Sequence, residues 1–201
     1  MSKEQAHTNS EPWKVLDSEY LIRRPWLTVR RECLELPDGR IVPEYYVLEY
    51  PDWVNVIAIT ENGNMILERQ YRHGFGRAAW EIPCGVLEKN DASPLAGAQR
   101  ELLEETGYGD GEWTLLDTLS SNPASTNNRT YCFLAQGVKR IGEPHLDDGE
   151  SFDVKSFPVE DIPAMLLRGE FVQALHVAPL WKFFYLKSFD DGCAWINKPE
   201  K

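Results

Sequence analysis

The stretch SPLAGAQRELLEETGY, Ser93 to Tyr108, limits the fold more than any other part of the chain. Ser93 is a good N-cap residue and Pro94 fits the first helical position. Gly107 supplies the left-handed residue that ends a helix. The spacing therefore predicts a helix over 94–106, with Leu95, Ala98 and Leu102, joined by Ala96 and Leu103, on its buried side. Glu101, Glu104 and Glu105 then crowd onto one turn. Glu101 and Glu105 are i, i+4 and share a face, Glu104 borders it, and Arg100 lies i, i+4 from Glu104. Like charges at these spacings repel by a few tenths of a kcal/mol per pair. Two readings of the residues stand side by side: a solvated acidic face with one compensating arginine, or a carboxylate cage that relieves its repulsion by holding Mg²⁺ or Mn²⁺.

The segments around this helix read mostly as strands. WLTVRRECLEL (Trp26 to Leu36) and IVPEYYVLEY (Ile41 to Tyr50), joined by the turn PDGR, form a hairpin, and Pro43 assigns the second run to a sheet edge. VNVIAIT (Val54 to Thr60) and MILERQY (Met65 to Tyr71) flank an Asn62-Gly63 turn signal. WEIP, EWTLLDTLSS, RTYCFLAQGV and FDVKSFP are further strands, RHGFGRAA and NPASTNN are loops, HLDDGES is an acidic loop, and residues from Val159 to about 186 read as two helices split at Gly169. This order gives an α/β or α+β layer fold. The expected organisation is a disordered N-terminus over 1–12, a β appendage over 13–52, a main domain over 53–190 and a tail over 191–201. A hydrophobic content of 42% over 201 residues supports a sizeable core. The formal net charge of −11 argues against nucleic acid as a partner, which binds through Lys and Arg contacts to phosphates. No run approaches the length of a membrane-spanning helix, so no membrane partner is expected. Four scattered cysteines and no apolar leader point to a cytoplasmic chain with reduced thiols.

The segment GVLEKNDASPLAGAQRELLEETGY (Gly85 to Tyr108) resembles the Nudix box. Arg100, Glu101, Leu102, Glu104, Glu105, Gly107 and Tyr108 fit its second half. The loop departs from the pattern: the glycine-to-arginine distance is one residue longer, and Asp91 stands where the family has a loop-steadying glutamate. QYRHG (Gln70 to Gly74) and WEIPCG (Trp80 to Gly85) resemble the segments ahead of the box in ADP-ribose pyrophosphatase-type members. Pro123, sixteen residues after Gly107, and Asp148-Gly149-Glu150 match their later features.

The resemblance implies a Nudix-type α/β/α sandwich with a mixed sheet and a small N-terminal antiparallel β appendage. It implies Mg²⁺-dependent hydrolysis, with Mn²⁺ as a substitute, of the diphosphate bridge of a nucleoside diphosphate sugar. ADP-ribose, giving AMP and ribose 5-phosphate, is the leading substrate; GDP-mannose or another nucleotide sugar is the first alternative, and a non-catalytic nucleotide-sugar sensor the second. Glu101 and Glu105 are implied as main metal ligands, Glu104 and Glu150 as further ones, and the main-chain carbonyl of Cys84 as another, its thiol being a small core group. Arg100 orients the cluster, and Asp148 or Glu150 serves as general base, with Glu104 next in line. Arg72 and Arg129 are candidate phosphate clamps, Pro123 a substrate-site marker, and Trp26 and Arg30 candidates for holding the nucleobase across a homodimer, though Trp26 suits core or interface packing equally. The aromatic-rich segment ALHVAPLWKFFYL is read as core or dimer contact.

Overall fold

The computed structural model describes residues 11–145 and 152–189. The readings made for residues 1–10, for Asp148 and Glu150, and for the tail fall outside them. The chain divides into two compact units, one formed by the residues up to Tyr50 with Asn122–Asn128, the other by Pro51–Ser121 and the residues from Arg129 on.

The first unit is a three-stranded antiparallel sheet of β1 (Lys14–Arg24), β2 (Leu27–Glu35) and β3 (Ile41–Glu49), in the order β1-β2-β3. The expected hairpin is β2–β3, and Pro43 lies on an edge strand. β1 is an addition to the two-strand reading. Its pairing with β2 shifts register between Val15 and Asp17 and again between Tyr20 and Ile22, so the alternation that marks a strand is broken twice. Loop 122–128 is fastened to this sheet by Leu48 N–H on Ser125 O at 2.7 Å.

The second unit carries an eight-stranded mixed sheet. Its central path runs β11 (Phe152–Pro158), β5 (Asn64–Arg72), β4 (Trp53–Thr60), β10 (Thr130–Arg140) and β8 (Tyr108–Gly109). β6 (Arg77–Glu81) pairs with β5, β7 (Cys84–Val86) with β4, and β9 (Glu112–Leu119) with β10. β4 and β10 are parallel; the remaining pairs are antiparallel. β6 begins inside the segment expected to be loop, because Arg77 and Ala78 still find partners on β5.

The sheet is covered on both faces, which accounts for the near-continuous apolar run of β4. On one face α1 (Pro94–Thr106) packs Ala98 and Leu102 onto Val54, Val56, Ala58, Ile66 and Phe133. On the other, α2 (Ile162–Leu167) and α3 (Ala174–Phe189) set Ile162, Met165, Leu180 and Phe183 against Ile57, Met65, Leu67 and Leu134. This is the layered α+β sandwich the sequence led one to expect. Full burial of a Leu102-sized side chain contributes about 1.5–3 kcal/mol. The expected apolar side of α1 needs correction: Leu95 and Leu103 are exposed, whereas Gly97, Glu105 and Thr106 are buried. The helix is rotated so that Glu105, rather than Leu95 or Leu103, is buried against the sheet. The split between α2 and α3 falls at Gly169, whose φ of +69° suits glycine.

Candidate active site

The ends of α1 form as their residues dictate. Ser93 Oγ accepts from Ala96 N–H at 3.2 Å, and Gly107, at φ +73°, donates its N–H to Leu103 O at 2.8 Å. With the cap registered and Ala98 and Leu102 buried, Glu101 and Glu105 fall opposite β7. Glu105 is only 7% exposed, and its Oε2 accepts the Cys84 N–H at 2.9 Å. Glu101 lies against Gly85: a Cβ there would stand 2.1 Å from its carboxyl carbon. Gly85 is thus required by a close approach.

Arg100 organises the outer side of this cluster. Its Nη1 donates to Glu101 Oε1 at 3.0 Å and to Glu104 Oε2 at 2.8 Å, and its Nη2 to the Val86 carbonyl at 3.0 Å. Its Nε and Nη2 together grip Asp91, at 3.1 and 3.0 Å. Asp91 also accepts from Glu88 N–H at 2.8 Å, so one carboxylate ties the lengthened loop to the helix. The Arg100 hydrogen bonds hold the Asp91 carboxyl below its ordinary value, and Asp91 in turn raises that of Arg100. Gly97 makes room for this arrangement, since a Cβ would come within 2.8 Å of Asp91 Oδ2.

Three carboxylates share this end of α1: Glu105 is buried, Glu101 partly buried and Glu104 the most exposed. The donors are all hard oxygens, which fits Mg²⁺ or Mn²⁺. The backbone N–H already on Glu105 and the Arg100 fork on Glu101 and Glu104 preset the carboxylates before any cation arrives.

Arg72 is held more firmly than the sequence suggests. Its Nε and Nη2 donate to the two oxygens of Glu81 at 2.8 and 2.5 Å, a bidentate pair in which Glu81 is 2% exposed. Cys84 and His176 lie beside Glu81. Burial, then the nearby Glu105 and Glu81 carboxylates, push the Cys84 thiol well up, and burial lowers the His176 imidazole to about 4. Sequence reasoning missed Glu81 and His176. Their signal was there, as a lone carboxylate in the strand WEIP and a lone histidine in an apolar helix.

The other expected site residues are placed as follows. Arg129 is exposed; its main chain pairs with Asp52 Oδ1 at 2.7 Å and with Trp53 N–H at 2.8 Å. Trp26, Arg30 and Pro123 belong to the first unit. Trp26 sits exposed on the β1–β2 turn, and Pro123 is exposed in loop 122–128. The Arg30 guanidinium is engaged by Glu32 at 2.8 Å and by Glu49. A cavity of about 350 Å³ is lined by Arg69, Arg77, Trp80 and Arg168, but strand alternation turns Trp80 away from Glu81, so it does not coincide with the glutamate cluster.

Residues 50–176 match the NUDIX domain, and residues 13–48 match the nucleoside diphosphate sugar hydrolase N-terminal domain. The chain is 31% identical over 167 residues to an ADP-ribose pyrophosphatase of Mycobacterium tuberculosis (83% of this chain, 80% of the relative). It is 31% identical over 149 residues to an ADP-ribose pyrophosphatase of Bacillus subtilis (74% of this chain, 80% of the relative). The crystal structure of an ADP compounds hydrolase shares the fold, with a TM-score of 0.78 and 24% identity over 90% of this chain and 98% of that one. The domain match spans the whole glutamate cluster and its supporting strands, and on that ground this chain belongs to the Nudix hydrolase family.

Proposed function

We propose that this enzyme hydrolyses the diphosphate bridge of ADP-ribose to AMP and ribose 5-phosphate, using Mg²⁺. The observation that carries the reading is the preset cage: Glu105 on the Cys84 N–H and Glu101 against Gly85, in a chain about 31% identical to two ADP-ribose pyrophosphatases. Glu101, Glu104, Glu105 and the Cys84 carbonyl would hold the cation, which supplies charge neutralisation at the diphosphate and at the leaving oxygen. Arg100 keeps two of the carboxylates aimed, and Asp91 keeps Arg100 in place. Arg72 gives two N–H groups to Glu81 and a third, at 3.9 Å, to Cys84 Sγ, which leaves its Nη1 for a phosphate. Asp148 or Glu150 takes the proton from the attacking water. The assay is AMP formation with Mg²⁺ on ADP-ribose, GDP-mannose, a diadenosine polyphosphate and ATP. ADP-ribose should lead ATP in kcat/KM by at least about tenfold, about 1.4 kcal/mol in the transition state. A lead for GDP-mannose would move the substrate, and binding of every compound with cleavage of none would make the chain a sensor.

We further infer a homodimer that uses the N-terminal sheet. All eleven residues of β1 are exposed, among them Val15, Leu16, Tyr20, Leu21 and Ile22, an apolar strand the sheet does not bury within its own unit. Light scattering at micromolar concentration should give twice the chain mass; a fully active monomer would contradict it. Cys33, Cys84 and Cys132 are free thiols, which supports a cytoplasmic setting, and the net charge of −11 supports a partner list without nucleic acid.

A further inference from the structure

We propose that Glu81, Cys84 and His176 form a second metal site, for Zn²⁺ or an ion of similar softness, distinct from the glutamate cage on α1. One oxygen, one sulfur and one imidazole nitrogen lie within 4.8 Å of one another, brought from the end of β6, the start of β7 and the first turn of α3. His176 is 1% exposed, and its Nδ1 is buried without a hydrogen-bond partner. The nearest Glu81 oxygen is 3.9 Å away, too far for a hydrogen bond. A buried imidazole nitrogen without a hydrogen-bond partner, beside a carboxylate and a thiol, is a donor set suited to a metal ion.

The chemistry selects the ion. The cage on α1 offers oxygens alone, the set for a hard cation; this cluster mixes nitrogen, sulfur and oxygen, as Zn²⁺ sites do, and its three protein ligands leave a fourth position open. With Zn–S at about 2.3 Å and Zn–N at about 2.0–2.1 Å, the donors must draw in around the ion, which moves the Glu81 and Cys84 side chains. The histidine end is anchored: Asn55 Nδ2 donates to Leu175 O at 2.7 Å, and the main-chain N–H of His176 to Gln173 O at 2.9 Å. Binding replaces the Cys84 S–H bond by a metal–sulfur bond and releases one proton to solvent. It also takes one Glu81 oxygen and the Cys84 sulfur, which accepts from Arg72 Nη2 at 3.9 Å, from the Arg72 fork. Occupancy is therefore linked to Arg72, and to the residue whose N–H holds Glu105.

The test is Co²⁺ titration of the full chain in saturating Mg²⁺, followed by absorption. A sulfur-to-cobalt charge-transfer band, saturating at one equivalent and removed by Zn²⁺, is expected. Cys84→Ser should abolish the band, and His176→Gln should weaken Co²⁺ binding at least about tenfold. No band in the wild-type chain would overturn the site, and that outcome needs no variant to fold. A band that survives in Cys84→Ser would assign the sulfur to another cysteine and overturn it equally. The readout is independent of turnover, so it stands or falls apart from the substrate assignment.

Discussion

Gly85 and Glu101 are in contact across the strand–helix boundary, with room between them for a hydrogen and not for a methyl group. Gly85→Ala would drive a methyl into a carboxylate that Arg100 also holds. The group displaced is the end of a side chain, so the fold should tolerate it at a cost of about 1 kcal/mol. The carboxylate should not tolerate it: turnover should fall at least about tenfold and need more Mg²⁺ to saturate. Melting temperature and a Mg²⁺ titration of activity separate the two effects, and a normal Mg²⁺ requirement would remove the positional role given to Gly85.

Glu105→Gln keeps an oxygen able to accept the Cys84 N–H, so the β7–α1 contact should survive. The lost charge should not be replaceable, and turnover should drop at least about a hundredfold, since a metal's charge stabilisation is worth several kcal/mol. Near-normal turnover at limiting Mg²⁺ would remove Glu105 from the ligand set.

Asp91 makes stability depend on acid. Its folded value lies below the ordinary 3.8, chiefly through the Arg100 hydrogen bonds. The unfolded chain therefore binds the proton first as pH falls. The contribution is complete above about 3.8 and is lost as pH drops through the folded value. Thermal melts of Asp91→Asn against wild type should show the two curves converging at low pH; a constant gap would contradict the linkage.

His176 acts in a higher window. Burial lowers its folded value to about 4 from 6.5, so between these limits the unfolded chain carries more protons. Stability should be full above 6.5 and decline towards pH 4 by up to about 1.4 kcal/mol per pH unit from this group. His176→Gln should flatten urea midpoints across that range, while an unchanged slope would mean that the imidazole is charged in the folded chain.

The late acidic loop is where a base and a binding group can be told apart. If Asp148 or Glu150 is the base, its amide variant should lose kcat with little change in KM. Normal kcat in both Asp148→Asn and Glu150→Gln would transfer the role to Glu104.

Ser93, Pro94 and Gly107 determined α1 from sequence alone, because capping and termination are settled by residues within one turn of each other. The i, i+4 relation of Glu101 and Glu105 followed from the same periodicity, as did Arg100's hold on Glu104. Alternation sufficed for β2 and the Asn62-Gly63 turn signal for the β4–β5 pair, but alternation failed for β1, where two register shifts erase it. Which face of α1 would be buried was beyond the sequence. Leucine identity pointed to Leu95 and Leu103, but packing onto β4 and β10 chose Ala98, Leu102 and Glu105. The tertiary structure alone decided that Glu105 meets the Cys84 N–H, that Gly85 makes room for Glu101, and that Glu81 captures Arg72 beside His176. Those contacts depend on strand register and on where α3 begins. A one-residue slip in either would turn the same side chains to another face, and no local rule of propensity or spacing fixes that choice.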